Sequence, residues 1–141
     1  GRDRIEALLE RCGLSERVTF LDTFSYDRMP EVYRAADCFV LPSIATETWQ
    51  EQFGMSLIEA MSCGVPVVST YSGSIPEIGG NAVRLCQPND FLGLYEALRR
   101  IVRDDAYRKS LCSAVRARVL QEYTLEGYSE GLKSVYAELL K

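Results

Sequence analysis

E-Q-F-G-M-S-L-I-E-A-M-S-C-G-V-P-V-V-S, the run from Glu51 to Ser69, decides how the rest of the chain is read. Glu51 and Glu59 stand eight positions apart around a Phe53-Gly54 step at which a helix is expected to begin. Gly64 is placed to close that helix, because a glycine just past the last turn takes the left-handed conformation without steric cost. The apolar run from Val65 to Ser69 then has the pattern of a buried strand. On this reading Glu51 stands at the helix N-terminus, and Glu59 lies about one and a half turns inside it.

The first turn of a helix carries unpaired N–H donors and the positive end of the helix dipole. Backbone amides at residues 54 to 56 are therefore expected to face an anion held between the two acids. An ionised carboxylate accepts through two oxygens and can take both protons of a diol. Amides for a diphosphate and carboxylates for hydroxyls at either end make an arrangement suited to a nucleotide sugar. The plainer reading is a surface helix residue and a loop charge that complements the dipole. Against it, Met55, Ile58 and Ser62 share the face of Glu59, which sets an acid beside apolar residues, where a charge needs a partner.

The 141 residues make one domain's worth of chain, 47% hydrophobic and 26% charged. Acids outnumber bases 20 to 16, which leaves no basic field for nucleic acid. No apolar run approaches the roughly 18 residues of a transmembrane segment, and no signal-peptide pattern opens the chain. Five widely spaced cysteines without a C-x-x-C motif point to reduced, mostly buried thiols and a cytoplasmic location. With no histidine, a Ser-His or Cys-His nucleophile cannot be built. No P-loop and no metal-ligand spacing occur, so no cofactor is expected.

Along the chain, residues 2 to 12 carry Ile5, Leu8, Leu9 and Cys12 at helical spacing, with Gly13 as the stop. Strands are expected at Val18–Leu21, Cys38–Leu41 and Asn81–Cys86. Between the first two lies a helix with Pro30 in its first turn and Met29, Val32, Tyr33 and Ala36 on one face. Asn89 or Asp90 is placed to cap the next helix. Asp104-Asp105 starts another, with Tyr107, Leu111, Val115 and Val119 as its apolar stripe. Thr124 caps the last helix, whose Leu125, Tyr128, Leu132, Val135 and Leu139 read as core, and Gly127 and Gly131 suggest either close packing or an incomplete context there. Strand-helix alternation of this kind gives an α/β fold with a parallel sheet and right-handed crossovers. In the loop from Ser43 to Gln52, Trp49 is either a lid or a side chain packed over the sheet edge. Glu47, twelve positions from Glu59, competes with Glu51 as the ligand-binding acid.

Five ordered blocks carry a family resemblance. They are Val32-Tyr33-Arg34-Ala35-Ala36-Asp37, Val40-Leu41-Pro42-Ser43, the Glu51 to Met61 stretch, Cys63-Gly64-Val65-Pro66-Val67-Val68, and Gly73 with Pro76 and Glu77. Together they resemble the E-x7-E signature of retaining glycosyltransferases of the GT-B fold, especially family 4 (glycosyl transferases group 1). Ser74 departs from the pattern, where that family carries a second glycine, and Asp22 stands where many relatives have glycine.

The resemblance implies a Rossmann-like three-layer parallel sheet. Residues 1–141 would form a partial C-terminal nucleotide-sugar-binding domain, lacking its first two strands and its partner, the N-terminal GT-B domain. It implies transfer of a hexose from a nucleoside diphosphate sugar to an acceptor with retention of configuration. Carried over position by position, Glu51 is the catalytic position that contacts the transferred sugar. The backbone N–H groups of Phe53, Gly54, Met55 and Ser56 hold sugar and diphosphate, and Glu59 binds the ribose diol. Phe24 lies near the nucleobase or, more plainly, packs into the core. Glu77 caps or pairs locally. The absent Asp-x-Asp fits a diphosphate neutralised by the protein, with no metal. Cut off from its partner domain, such a chain is expected to bind donor poorly. The rival reading is a non-catalytic nucleotide- or carbohydrate-binding module derived from the same fold.

Overall fold

The computed structural model describes residues 1–140. Three strands, β1 (Phe39–Leu41), β2 (Val67–Thr70) and β3 (Arg84–Cys86), form a parallel sheet in the spatial order β1-β2-β3. Parallel neighbours require crossover connections, and helices supply them. Helix α3 (Met55–Ser62) links β1 to β2, and α4 (Ile75–Gly79) with a 3-10 turn at Gly80–Ala82 links β2 to β3. Helices α1 (Arg2–Arg11) and α2 (Met29–Arg34) precede the sheet, and α5 (Phe91–Arg103), α6 (Asp105–Glu122) and α7 (Leu125–Leu139) follow it.

The sheet is covered on both faces because its central strand is apolar on both. Successive side chains of a strand point to opposite sides. Val67 accordingly joins one core with Leu57, Ala60, Met61, Ile75 and Val115. Val68 joins a second with Cys86, Ala97, Ile101 and Leu111. The stripe of α6 serves both layers, Leu111 in one and Val115 and Val119 in the other. Three side chains cap three helices, as their spacing predicts. Asp90 accepts the Gly93 N–H at 2.8 Å, Asp104 that of Tyr107 at 2.9 Å, and Thr124 that of Gly127 at 3.1 Å. Leu57 is fully enclosed, so Leu57→Ala is expected to cost about 2–5 kcal/mol, read from the midpoint of urea unfolding.

Several expectations are corrected. Val18–Leu21 is not a strand, and Val18, Phe20 and Leu21 are exposed. An extended apolar run becomes a strand only where a neighbour takes its N–H and C=O groups, and no described residue pairs with this one. The strand expected at Val65–Ser69 pairs over Val67–Thr70, and that at Asn81–Cys86 only over Arg84–Cys86, after the 3-10 turn. The stripe of α7 is not core: Leu125, Tyr128, Leu132, Val135 and Leu139 are all exposed. Amphipathic spacing identifies a face without identifying what covers it. Of the two readings of its glycines, close packing does not hold at Gly131, where an added Cβ would meet nothing within 4 Å. The five thiols are free, yet only Cys86 is buried and Cys12 is exposed.

Candidate functional site

Strands β1 and β2 end side by side at Leu41 and Thr70. The hydroxyls of Ser69 and Thr70 donate to the carbonyls of Leu41 and Ser43, tying the two carboxyl ends together. In open parallel sheets ligands collect at this edge. The loop after β1 runs from here to α3, and the loop after β2 comprises Tyr71 to Ser74.

The two loops meet at Glu51. The Ser74 N–H donates to the Glu51 carbonyl at 3.2 Å. Gly73, at φ +51, passes so close that an added Cβ would lie 2.0 Å from the same oxygen. Backbone contact, set by a glycine in the left-handed region, thus fixes where Glu51 stands. Its carboxylate turns to the start of α3, where Oε1 accepts the Gly54 N–H at 3.0 Å. Gly54 is itself left-handed, with φ 62 and ψ 49, and turns the chain so that α3 begins at Met55.

The Gly54 amide is therefore engaged inside the protein, contrary to the expectation that it faces a ligand. An acid three residues upstream is the nearest acceptor, and the positive helix end favours it. The amides of Phe53, Met55 and Ser56 take no acceptor among the described residues. Phe53 and Met55 are exposed and Ser56 half-buried.

Glu59 lies on the next turn of α3, half-buried. The partner that such an acid needs is Tyr33 of α2, while Met55, expected on the same face, is exposed. The Tyr33 hydroxyl donates to Glu59 Oε2 at 2.8 Å. The Tyr33 ring is buried and stands edge-on to Phe39 of β1, with centroids 5.6 Å apart and planes at 77°. Burial first, then the hydrogen bond to Glu59, push the Tyr33 phenol above its ordinary pKa, so it remains a protonated donor at neutral pH. Tyr26 lines the same pocket, and hydrogen bonding to Glu59 followed by its negative charge raises that phenol too. The pocket, about 130 Å³, is completed by Met29, Pro30, Ser62 and Cys63.

Phe24 is half-buried in the loop leading to Tyr26, outside both cores, with the Arg28 guanidinium 5.8 Å from its ring centroid. Trp49 belongs to neither core. It is about half exposed and closes a turn with Thr46, N–H to Oγ1 at 3.1 Å. Glu47 is exposed, and Glu77 sits exposed in the first turn of α4. No group of three His, Cys, Asp or Glu side chains able to hold a metal forms among the described residues. None of their helices is long and apolar enough to cross a membrane.

Tyr33 and Tyr26 are the site residues that sequence reasoning passed over. A signal existed: a tyrosine on an apolar helix face needs a partner for its hydroxyl, and Glu59 was an inward acid in want of one.

The family model described as glycosyl transferases group 1 matches residues 1–118. The chain belongs to this family. Its α/β fold with a parallel sheet matches the C-terminal domains of GT-B glycosyltransferases. Among curated members, the D-inositol 3-phosphate glycosyltransferase of Corynebacterium jeikeium is 32% identical over 139 residues, covering 97% of this chain and 32% of that protein. Sucrose-phosphate synthase from Thermosynechococcus elongatus superimposes with a TM-score of 0.83 at 31% identity, over 99% of this chain and 34% of that one. HepE of Anabaena, solved in complex with UDP, superimposes with a TM-score of 0.82 at 25% identity, over 96% of this chain and 36% of that one. The chain spans about a third of the length of the curated relatives it matches.

Proposed function

We propose that this group 1 chain is the donor-binding part of a longer family 4 enzyme with a partner GT-B domain. That enzyme transfers a hexose from a nucleoside diphosphate sugar with retention of configuration. The observation that carries this reading is the pair of unengaged amides, Met55 and Ser56, between the carboxylates of Glu51 and Glu59 at the carboxyl edge of the sheet. A diphosphate on those amides gains negative charge as the glycosidic bond breaks. Donors already aimed at that charge lower the barrier without reorganising. Glu51, whose second carboxylate oxygen is free of the Gly54 amide, contacts the transferred sugar. Glu59 takes the ribose diol, and Phe24 borders the base. That HepE was solved in complex with UDP supports a nucleotide as the ligand, and the cytoplasm is where such donors would be met.

The test is calorimetric titration of the longer protein with uridine, guanosine and adenosine diphosphate sugars. One of them is expected to bind, and Glu59→Ala to weaken it by about 10- to 100-fold, the range for losing hydrogen bonds to a charged group. Equal affinity in the variant would remove Glu59 from the site. Binding without turnover of any donor would favour the non-catalytic module.

A further inference from the structure

We propose that Tyr33 is a positioning residue whose hydroxyl fixes the Glu59 carboxylate, and that this makes the site discriminate ribose from 2′-deoxyribose. The inference rests on the reading of Glu59 as the ribose ligand and adds the group that makes it selective.

A glutamate on a helix face has freely rotating side-chain bonds, and ordering it costs up to about 1.5–2 kcal/mol. A mobile carboxylate can follow whichever hydroxyl remains when one is removed, and it then discriminates poorly. Glu59 is not free to do so. Tyr33 holds Oε2 from one side at 2.8 Å, and the Tyr26 phenol lines the same pocket beside that carboxylate. The clamp is rigid because Tyr33 is only 7% exposed and rests edge-on against Phe39 of the sheet. Pro30 in the first turn of α2 stiffens the helix that carries it. With Oε2 held, the carboxylate loses the freedom to rotate, and it lines the pocket in that fixed setting.

The space in front of it is small. At about 130 Å³ the pocket is well under the roughly 300–1,000 Å³ of sites for drug-sized ligands. A pocket of that size takes a part of a nucleoside and not the whole. A fixed carboxylate facing one ring meets two hydroxyls of a ribose and only one of a 2′-deoxyribose. The lost partner leaves a half-buried acceptor unsatisfied, which a site built for that hydroxyl rejects.

The experiment uses the longer protein, with UDP, GDP and ADP and their 2′-deoxy counterparts as titrants and the matching sugars as donors. The native protein is expected to prefer the ribonucleotide by about tenfold or more. Tyr33→Phe should raise donor KM about tenfold, leave kcat within about twofold, and reduce that preference to about twofold. The preference is a ratio on the same folded molecules, so a partial loss of stability does not move it. Glu59→Gln separates the two levels of inference. If Glu59→Gln loses the preference while Tyr33→Phe keeps it, Tyr33 has no positioning role. If both keep it, Glu59 is not the ribose ligand and the proposal fails with that reading.

Discussion

Glu51→Ala in the longer protein is expected to lower kcat by about 100- to 1,000-fold, the range for removing one preorganised electrostatic group from a transition state. Donor KM should change far less, because amides and Glu59 hold the diphosphate and ribose. The substitution also frees the Gly54 N–H that Glu51 Oε1 now accepts at 3.0 Å. Losing a helix-capping acceptor costs about 1 kcal/mol, so stability should fall slightly as well. Glu51→Gln divides the two effects. Its amide oxygen can still accept from Gly54 and restore the unfolding midpoint, whereas its neutral head cannot replace the carboxylate at the sugar. Initial rates beside urea unfolding check both. Recovery of turnover by the glutamine variant would show that Glu51 only shapes the helix start.

Gly73→Ala should be the most damaging single methyl group in this region. The new Cβ would fall 2.0 Å from the Glu51 carbonyl oxygen, on a residue held at φ +51. Left-handed strain and overpacking together cost about 2–5 kcal/mol. The clash is with backbone, so no side-chain rotation relieves it. Either the loop after β2 or Glu51 must move, and turnover should fall in the fraction that remains folded. Thermal unfolding with single-turnover kinetics on the folded fraction measures this. Unchanged turnover there would mean that the Gly73 contact does not position Glu51.

Much of this arrangement was legible in the chain because it rests on local rules. Gly64 at φ +74 closes α3 and Gly13 at φ +65 follows α1, each where a helix needs a left-handed stop. Asp90, Asp104 and Thr124 cap because their oxygens fall three residues before an unpaired N–H. The buried strand at Val67 and Val68 was readable from its apolar run. What stayed hidden depends on distant partners. The Tyr33 bond to Glu59 spans 26 positions, and nothing local announces it. The exposed stripe of α7 and the unpaired Val18–Leu21 run fail for the same reason. Periodicity names the face to be buried, and only the assembled chain shows whether anything arrives to bury it. The Gly54 amide is a subtler case, since both a phosphate and Glu51 satisfy the same helix end and the nearer acid takes it first.

The most direct measurement is a structure of the longer protein with a bound nucleoside diphosphate. The expected result places phosphate oxygens within hydrogen-bond reach of the Met55 and Ser56 amides, with Glu59 on the ribose hydroxyls and Glu51 on the opposite side. A diphosphate seated elsewhere while those two amides still face water would contradict the account.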